Sequence, residues 1–149
     1  MSVRDNDDPF DLQRFIEAQK GSYAQALSEL RAGRKTSHWI WYVFPQLAGL
    51  GFSQASRFYG LSGLDEARAY LADPILGPRL RECVEVMLAS GDRNAEDVLG
   101  STDAMKFRSS MTLFARAASE EALFTQALAR FFDSEDDPKT IELLKEEGR

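Results

Sequence analysis

Two stretches of the chain hold most of the side chains that could do chemistry. The first runs from Lys35 to Gln46, KTSHWIWYVFPQ, and carries the only histidine and both tryptophans. If it is helical, His38, Trp41 and Phe44 fall at i, i+3 and i+6, with Trp39, Tyr42 and Pro45 on the adjacent stripe. That would set a basic or hydrogen-bonding imidazole beside an aromatic wall able to stack a planar group such as a nucleobase. Arg34, Lys35 and the first amides of a helix capped by Ser37 could hold an anion. A plainer reading stands beside this one. The aromatics fill a core, His38 is buried with a satisfied hydrogen bond, and Arg31, Arg34 and Lys35 complement the dipole at the end of the preceding helix.

The second stretch is DAMKFRSSMTLF, Asp103 to Phe114. Lys106, Ser109, Ser110 and Leu113 share one helical face; Arg108 and Thr112 share another. Ser and Thr are mediocre helix formers, so three of them within four residues need a reason. Either neighbouring helices pack closely against small side chains, or the face is a polar pocket wall with Lys106 as its charge. Lys106-x-x-Ser109 reverses the S-x-x-K order of serine–lysine enzymes, and neither S-D-N nor K-T-G occurs. Nucleophilic catalysis is therefore not the favoured reading, and no reaction is assigned.

Other signals fall away. Cys83 lies on an apolar stripe with Leu80, Val84 and Met87 and reads as structural. Asp133, Glu135 and Asp137 alternate like the opening of a calcium loop. However, Pro138 stands where the turn glycine belongs and Leu144 where the bidentate Glu belongs. With one Cys and one His, no internal disulfide can form, and neither a closed zinc site nor any other metal or cofactor is expected.

The elements that must position these residues are helices. Asp8-Pro9, Asp73-Pro74 and Asp137-Pro138 each pair an N-cap with a proline suited to the first helical position. Ser22 with Gln25 reads as a capping box, and Gly33 as a C-terminal stop. Apolar residues follow at helical spacing from Phe10, Tyr23, Leu64, Leu76, Met105 and Leu123. HWIWYVF is apolar on both faces, so buried strand and buried helix remain open there. No alternating strand pair or Asn-Gly hairpin occurs. The expectation is an all-α single domain over residues 1–149, with about seven to nine helices in a superhelical or orthogonal stack. Residues 1–7 are expected to be flexible.

The chain has 149 residues, 44% hydrophobic and 28% charged, which suits one soluble domain. Its net charge of −6 makes nucleic acid and anionic membranes poor partners. Most of that acidity sits at the two ends, so an anionic small ligand in the middle is not excluded. The acidic start has no apolar core of a secretory signal, no stretch is apolar enough for a membrane span, and the single Cys suits a reducing compartment. A cytoplasmic protein is expected.

These residues also carry a family resemblance. D-P-F-x-L-x-R-F occurs at Asp8 to Phe15 with Ala18-Gln19 after it, and K-x-S-H-W-x-W-x-x-F-P-Q at Lys35 to Gln46 with Gly49 to Gly51 following. E-A-x-x-Y-L occurs at Glu66 to Leu71, ahead of Arg79-Leu80, and D-x-x-K-x-x-S-S-x-T-L-F at Asp103 to Phe114. The chain resembles the bacterial domain-of-unknown-function family eighteen-ten, sometimes mislabelled calpastatin-like, from Asp8 to Leu144. The family usually has glycine after the paired aromatics, where this chain has Asp133-Ser134-Glu135. The resemblance implies a compact all-α fold in a superhelical stack and carries no activity with it. It also implies that Arg14, Gln19, His38, Gln46, Lys106, Ser109 and Thr112 form one polar cluster where helices meet. With Trp41, these residues are the expected site for a small anionic or planar, nucleotide-like ligand. The alternative is a helical module that docks a protein partner, its polar network purely structural.

Overall fold

The computed structural model describes residues 8–146. Residues 1–7, expected to be flexible, and 147–149 lie outside them. The fold is all-α. In order, the helices are α1 (Gln13–Lys20), α2 (Tyr23–Ala32), α3 (Ile40–Val43), α4 (Gln54–Tyr59), α5 (Leu64–Ala72), α6 (Leu76–Leu88), α7 (Ala95–Leu99), α8 (Ser101–Ala117), α9 (Ala122–Phe132) and α10 (Pro138–Glu146). That makes ten among the described residues, slightly more than expected.

All three acids of the acid–proline pairs accept backbone N–H groups, but only Pro138 begins a helix, since α6 starts at Leu76 and α1 at Gln13. Asp137 Oδ2 accepts from Thr140 N at 3.0 Å and Thr140 Oγ1 at 2.6 Å, with Pro138 at the first position of α10. Asp73 Oδ1 accepts from Ile75 N and Leu76 N at the start of α6. Asp8 accepts from Leu12 N and Gln13 N, but α1 begins only at Gln13. Asp11, at φ 54, breaks the helical path, so Pro9 sits in a turn instead. The Ser22–Gln25 capping box does not form. Ser22 Oγ donates to Ala18 O, and Gln25 turns to Glu29.

The ambiguous apolar run is neither a strand nor a long helix. Only Ile40–Val43 is helical, and Phe44 leaves the helix at φ −122, ψ 74. The cause is Pro45, whose ring disfavours helical geometry in the residue before it. The chain then runs extended to Leu47. Ala48 N donates to Leu61 O at 2.7 Å, and Leu61 N to Gln46 O at 2.9 Å.

Packing gathers around α8, which touches α3, α5, α7, α9 and α10, while α6 lies against α2, α5 and α9. Phe107, Met111 and Phe114 of α8 are wholly buried. Phe107 meets Phe44 edge-on with ring centroids 4.8 Å apart, and Phe114 meets Tyr70 and Phe124, each at 5.6 Å. Ser109, Ser110 and Thr112 are buried too. Their small size admits close neighbours, and Ser109 and Thr112 satisfy their hydroxyls on the carbonyls one turn back. Met105, expected to face inward, is 65% exposed.

Gly77 is a close-approach glycine, because a Cβ there would lie 2.1 Å from Leu71 O. Backbone must move to admit it. Gly77→Ala is expected to cost about 2–3 kcal/mol in a urea melt, despite alanine's better helix propensity. Asp133 and Ser134 adopt φ 54 and 62, the left-handed region, where a glycine would sit without strain. Ser134→Gly is expected to stabilise the protein by about 1 kcal/mol, read as a raised melting temperature.

Candidate functional site

The site is built from the loop after α2 and the first turns of α8. Gly33, at φ 78, ends α2 and turns the chain so that Lys35 N bonds Val98 O at 2.7 Å. Lys35 Nζ then reaches Asp103 Oδ2 at 2.7 Å and is only 7% exposed. Lys106 Nζ approaches the other oxygen of the same carboxylate at 3.2 Å. Each ammonium also lies over an indole, Lys35 over Trp39 at 5.1 Å and Lys106 over Trp41 at 4.2 Å. Two ammoniums share one carboxylate, so the group keeps one net positive charge. Cation–π contacts of this kind contribute about 1–2 kcal/mol when shielded from water.

Lys106 and Trp41 form one wall of a cleft of about 320 Å³, near the lower limit for small-molecule sites. Gln46, Leu50, Gly51, Thr102, Met105, Ser109, Asp137 and Lys139 complete the lining. The first turns of α8 and α10 both open on it, and helix N-termini favour negative charge. The Asp137 carboxylate is already engaged in capping α10. A serine–lysine pair is not assembled. Ser109 Oγ donates to Met105 O at 3.1 Å, while Lys106 is turned to Asp103 and Trp41. The arrangement can hold an anion beside an apolar surface. Because Lys106 covers one face of Trp41, that face is closed to ring stacking.

The expected single polar cluster is divided. Trp41, Gln46, Lys106 and Ser109 line the cleft. Thr112 is wholly buried, its hydroxyl accepting from Asp137 N at 2.9 Å and fastening α10 to α8. Arg14 binds Glu66 at 2.9 Å and the carbonyls of Phe10, Asp11, Phe58 and Gly60. Gln19, buried between α1 and α6, donates to Tyr42 O and Tyr70 Oη and accepts from Arg79. Arg14 and Gln19 therefore serve packing. His38 is exposed, with no hydrogen-bond partner among the described residues, so neither a buried imidazole nor a cleft residue is found there. The reason is that α3 starts only at Ile40, and the predicted stripe through His38 never forms.

The anion expected at the helix start near Ser37 is present, and it belongs to the protein. Glu29, 5% exposed, accepts from Thr36 N, Ser37 N, Ser37 Oγ, Trp39 Nε1 and Gln25 Nε2. Burial alone would raise its pKa, but these donors together hold it well below the usual carboxylate range. Glu29 was missed in the sequence; its signal is an acid on the apolar side of α2, between Ala26 and Leu30. Asp103, Leu50, Met105, Asp137 and Lys139 were also not assigned to the site. Lys139 is placed there by the acid–proline cap just before it.

Cys83 is wholly buried, and burial pushes its thiol up to about 12 against the opposing hydrogen bond to Tyr23. No group of three or more His, Cys, Asp or Glu capable of holding a metal occurs among the described residues. No helix among them is long and apolar enough to cross a membrane.

Fold and site together define an all-α protein built on one central buried helix, with a cationic cleft at that helix's N-terminal end. The chain belongs to the family described as Protein of unknown function (DUF1810), whose model matches residues 9–144. It is similar to a solved structure from Mycobacterium tuberculosis, the conserved hypothetical protein Rv1873, at 48% identity and a TM-score of 0.91. The match covers 93% of this chain and 99% of that one. No curated protein matches the chain.

Glu29 supplies a test of the scaffold. Its folded pKa is depressed from an ordinary value of 4.5, so its contribution is complete above that value and is lost as pH falls below it. Glu29→Gln is expected to cost about 3 kcal/mol at neutral pH, because donors are left facing an amide. The gap between variant and wild type should narrow below about pH 4.5 in denaturant melts run as a pH series.

Proposed function

We propose that the cleft binds a small anionic ligand, with Lys106 as its principal charge. One observation carries this reading. The Lys106 ammonium is pre-positioned on the cleft wall by Asp103 and the Trp41 face, at 3.2 and 4.2 Å. A cation already ordered in this way loses little entropy when an anion arrives. The start of α8 and Lys139, itself 3.8 Å from Glu142, add positive potential against the Asp137 carboxylate at the start of α10, and Leu50 and Met105 offer apolar surface to the rest of the molecule. The volume of about 320 Å³ suits a ligand the size of a ring carrying one or two anionic groups. A nucleotide-like molecule is one member of that class. It would present its anionic end to Lys106 and its ring to Leu50 and Met105.

The reading is tested by thermal shift against nucleotides, sugar phosphates and dicarboxylates, on wild type and Lys106→Ala. A ligand at 100 times its dissociation constant adds about 2.7 kcal/mol, a rise of several degrees in a domain of this size. The expected result is a rise in wild type that Lys106→Ala abolishes. Lys106→Ala alone should lower the melting temperature by less than that rise. No shift with any class, or a shift that survives in Lys106→Ala, would overturn the assignment.

A further inference from the structure

The geometry points to a second surface: an aromatic patch on α4 through which two copies of this chain pair symmetrically. No residue of α4 is buried. Phe52, just ahead of it, is 87% exposed, and Phe58 within it is 56% exposed. These are two of the four exposed large hydrophobic residues among those described. Phe58 is backed by Tyr59, with ring centroids 4.8 Å apart. Beside them lies a shallow, open depression of about 560 Å³, lined by Gln54, Ala55, Arg57, Phe58 and Tyr59. An apolar patch of this kind marks an interaction surface.

The charges around it argue for a second copy as the occupant. Arg57 is exposed, and its side chain has no partner among the described residues. Asp11 is exposed and equally unpartnered. Arg57 precedes Phe58 in α4, and Arg14 draws the Asp11 backbone to that of Phe58, bonding the Phe58 carbonyl at 2.7 Å and the Asp11 carbonyl at 2.8 Å. The patch thus carries a protruding ring, a depression that could receive one, a free cation and a free anion. Such a set is complementary to itself under two-fold rotation, as an isologous interface requires. Phe52 of each copy enters the depression of the other, and Arg57 of each faces Asp11 of the other.

Sedimentation velocity over about 5–500 µM tests this, with the fold of each variant checked by its melting temperature. Wild type is expected to pass from monomer to a closed dimer. Phe52→Asp and Phe58→Asp should each weaken the dimer at least about thirtyfold. Arg57→Glu alone and Asp11→Arg alone should each weaken it about tenfold, since each sets like charges together at both contacts. An equimolar mixture of those two variants should restore dimerisation, because every contact then joins opposite charges. A monomer throughout, an open-ended series of oligomers, a dimer indifferent to the phenylalanine variants, or a mixture no tighter than its components would overturn the proposal.

Discussion

The Glu29 carboxylate governs the geometry of the region that matters most. It is buried without a cation, so five donors must do what a salt bridge would do elsewhere. Four of them come from residues 36–39, a stretch with little regular structure of its own. Wrapping that stretch around one charge fixes the path of the loop, seats the Trp39 indole in the core and sets where α3 starts. It also fixes Lys35, one residue before the first donor, on the side facing Asp103. A buried charge satisfied this fully is costly to leave half-paired.

The remaining polar groups divide by whether their bonding capacity is spent within the fold. Arg14 spends its guanidinium on Glu66 and four carbonyls, joining α1 to the segment between α4 and α5. Gln19 and Thr112 are equally committed. Arg81 is held by both oxygens of Glu121 at 2.7 and 3.1 Å, so the cavity beside it, about 380 Å³, has no uncommitted charge from that residue. Lys106 differs. It shares its acid with Lys35, and the surplus positive charge is left beside the cleft. Composition cannot reveal that distinction, because all of these residues are equally polar in the sequence.

Much of the fold was legible because the devices that end helices are local. An acid before a proline accepts backbone N–H groups within three residues; Asp137-Pro138 acts as read, while at Asp73 the carboxylate accepts from Ile75 and Leu76 but α6 begins two residues beyond Pro74. At Asp8 the carboxylate still caps, but a left-handed Asp11 moves the helix start. The Lys35–Gln46 run was illegible for a tertiary reason. Its periodicity fitted two structures, and the helical one forms only over Ile40–Val43, cut short by Pro45 on one side and by the bonds to Glu29 on the other. Of the candidate residues, Lys106, Trp41, Gln46 and Ser109 line one cleft, even though Trp41 and Lys106 are far apart in the chain. His38 was misplaced by assuming a helix two residues too early. Glu29 was passed over because an acid in a helix is ordinarily a solvated one.

The segment from Gln46 to Leu61 ties the two surfaces together. Its ends are joined by the paired bonds between Gln46, Ala48 and Leu61, and Gly60 lies so close to Ala48 that a Cβ would come within 2.8 Å of it. The base of this loop is therefore rigid, while its body rests on few buried side chains. Leu50 and Gly51 face the cleft, and Phe52 and Phe58 face solvent. Loops with a fixed base and a thinly packed body open at lower free energy than the core. Whatever orders the outer side of this loop also orders the cleft wall made by Leu50 and Gly51. A ligand in the cleft and a second copy on Phe52 would therefore be linked through that shared element, and such a linkage acts equally in both directions.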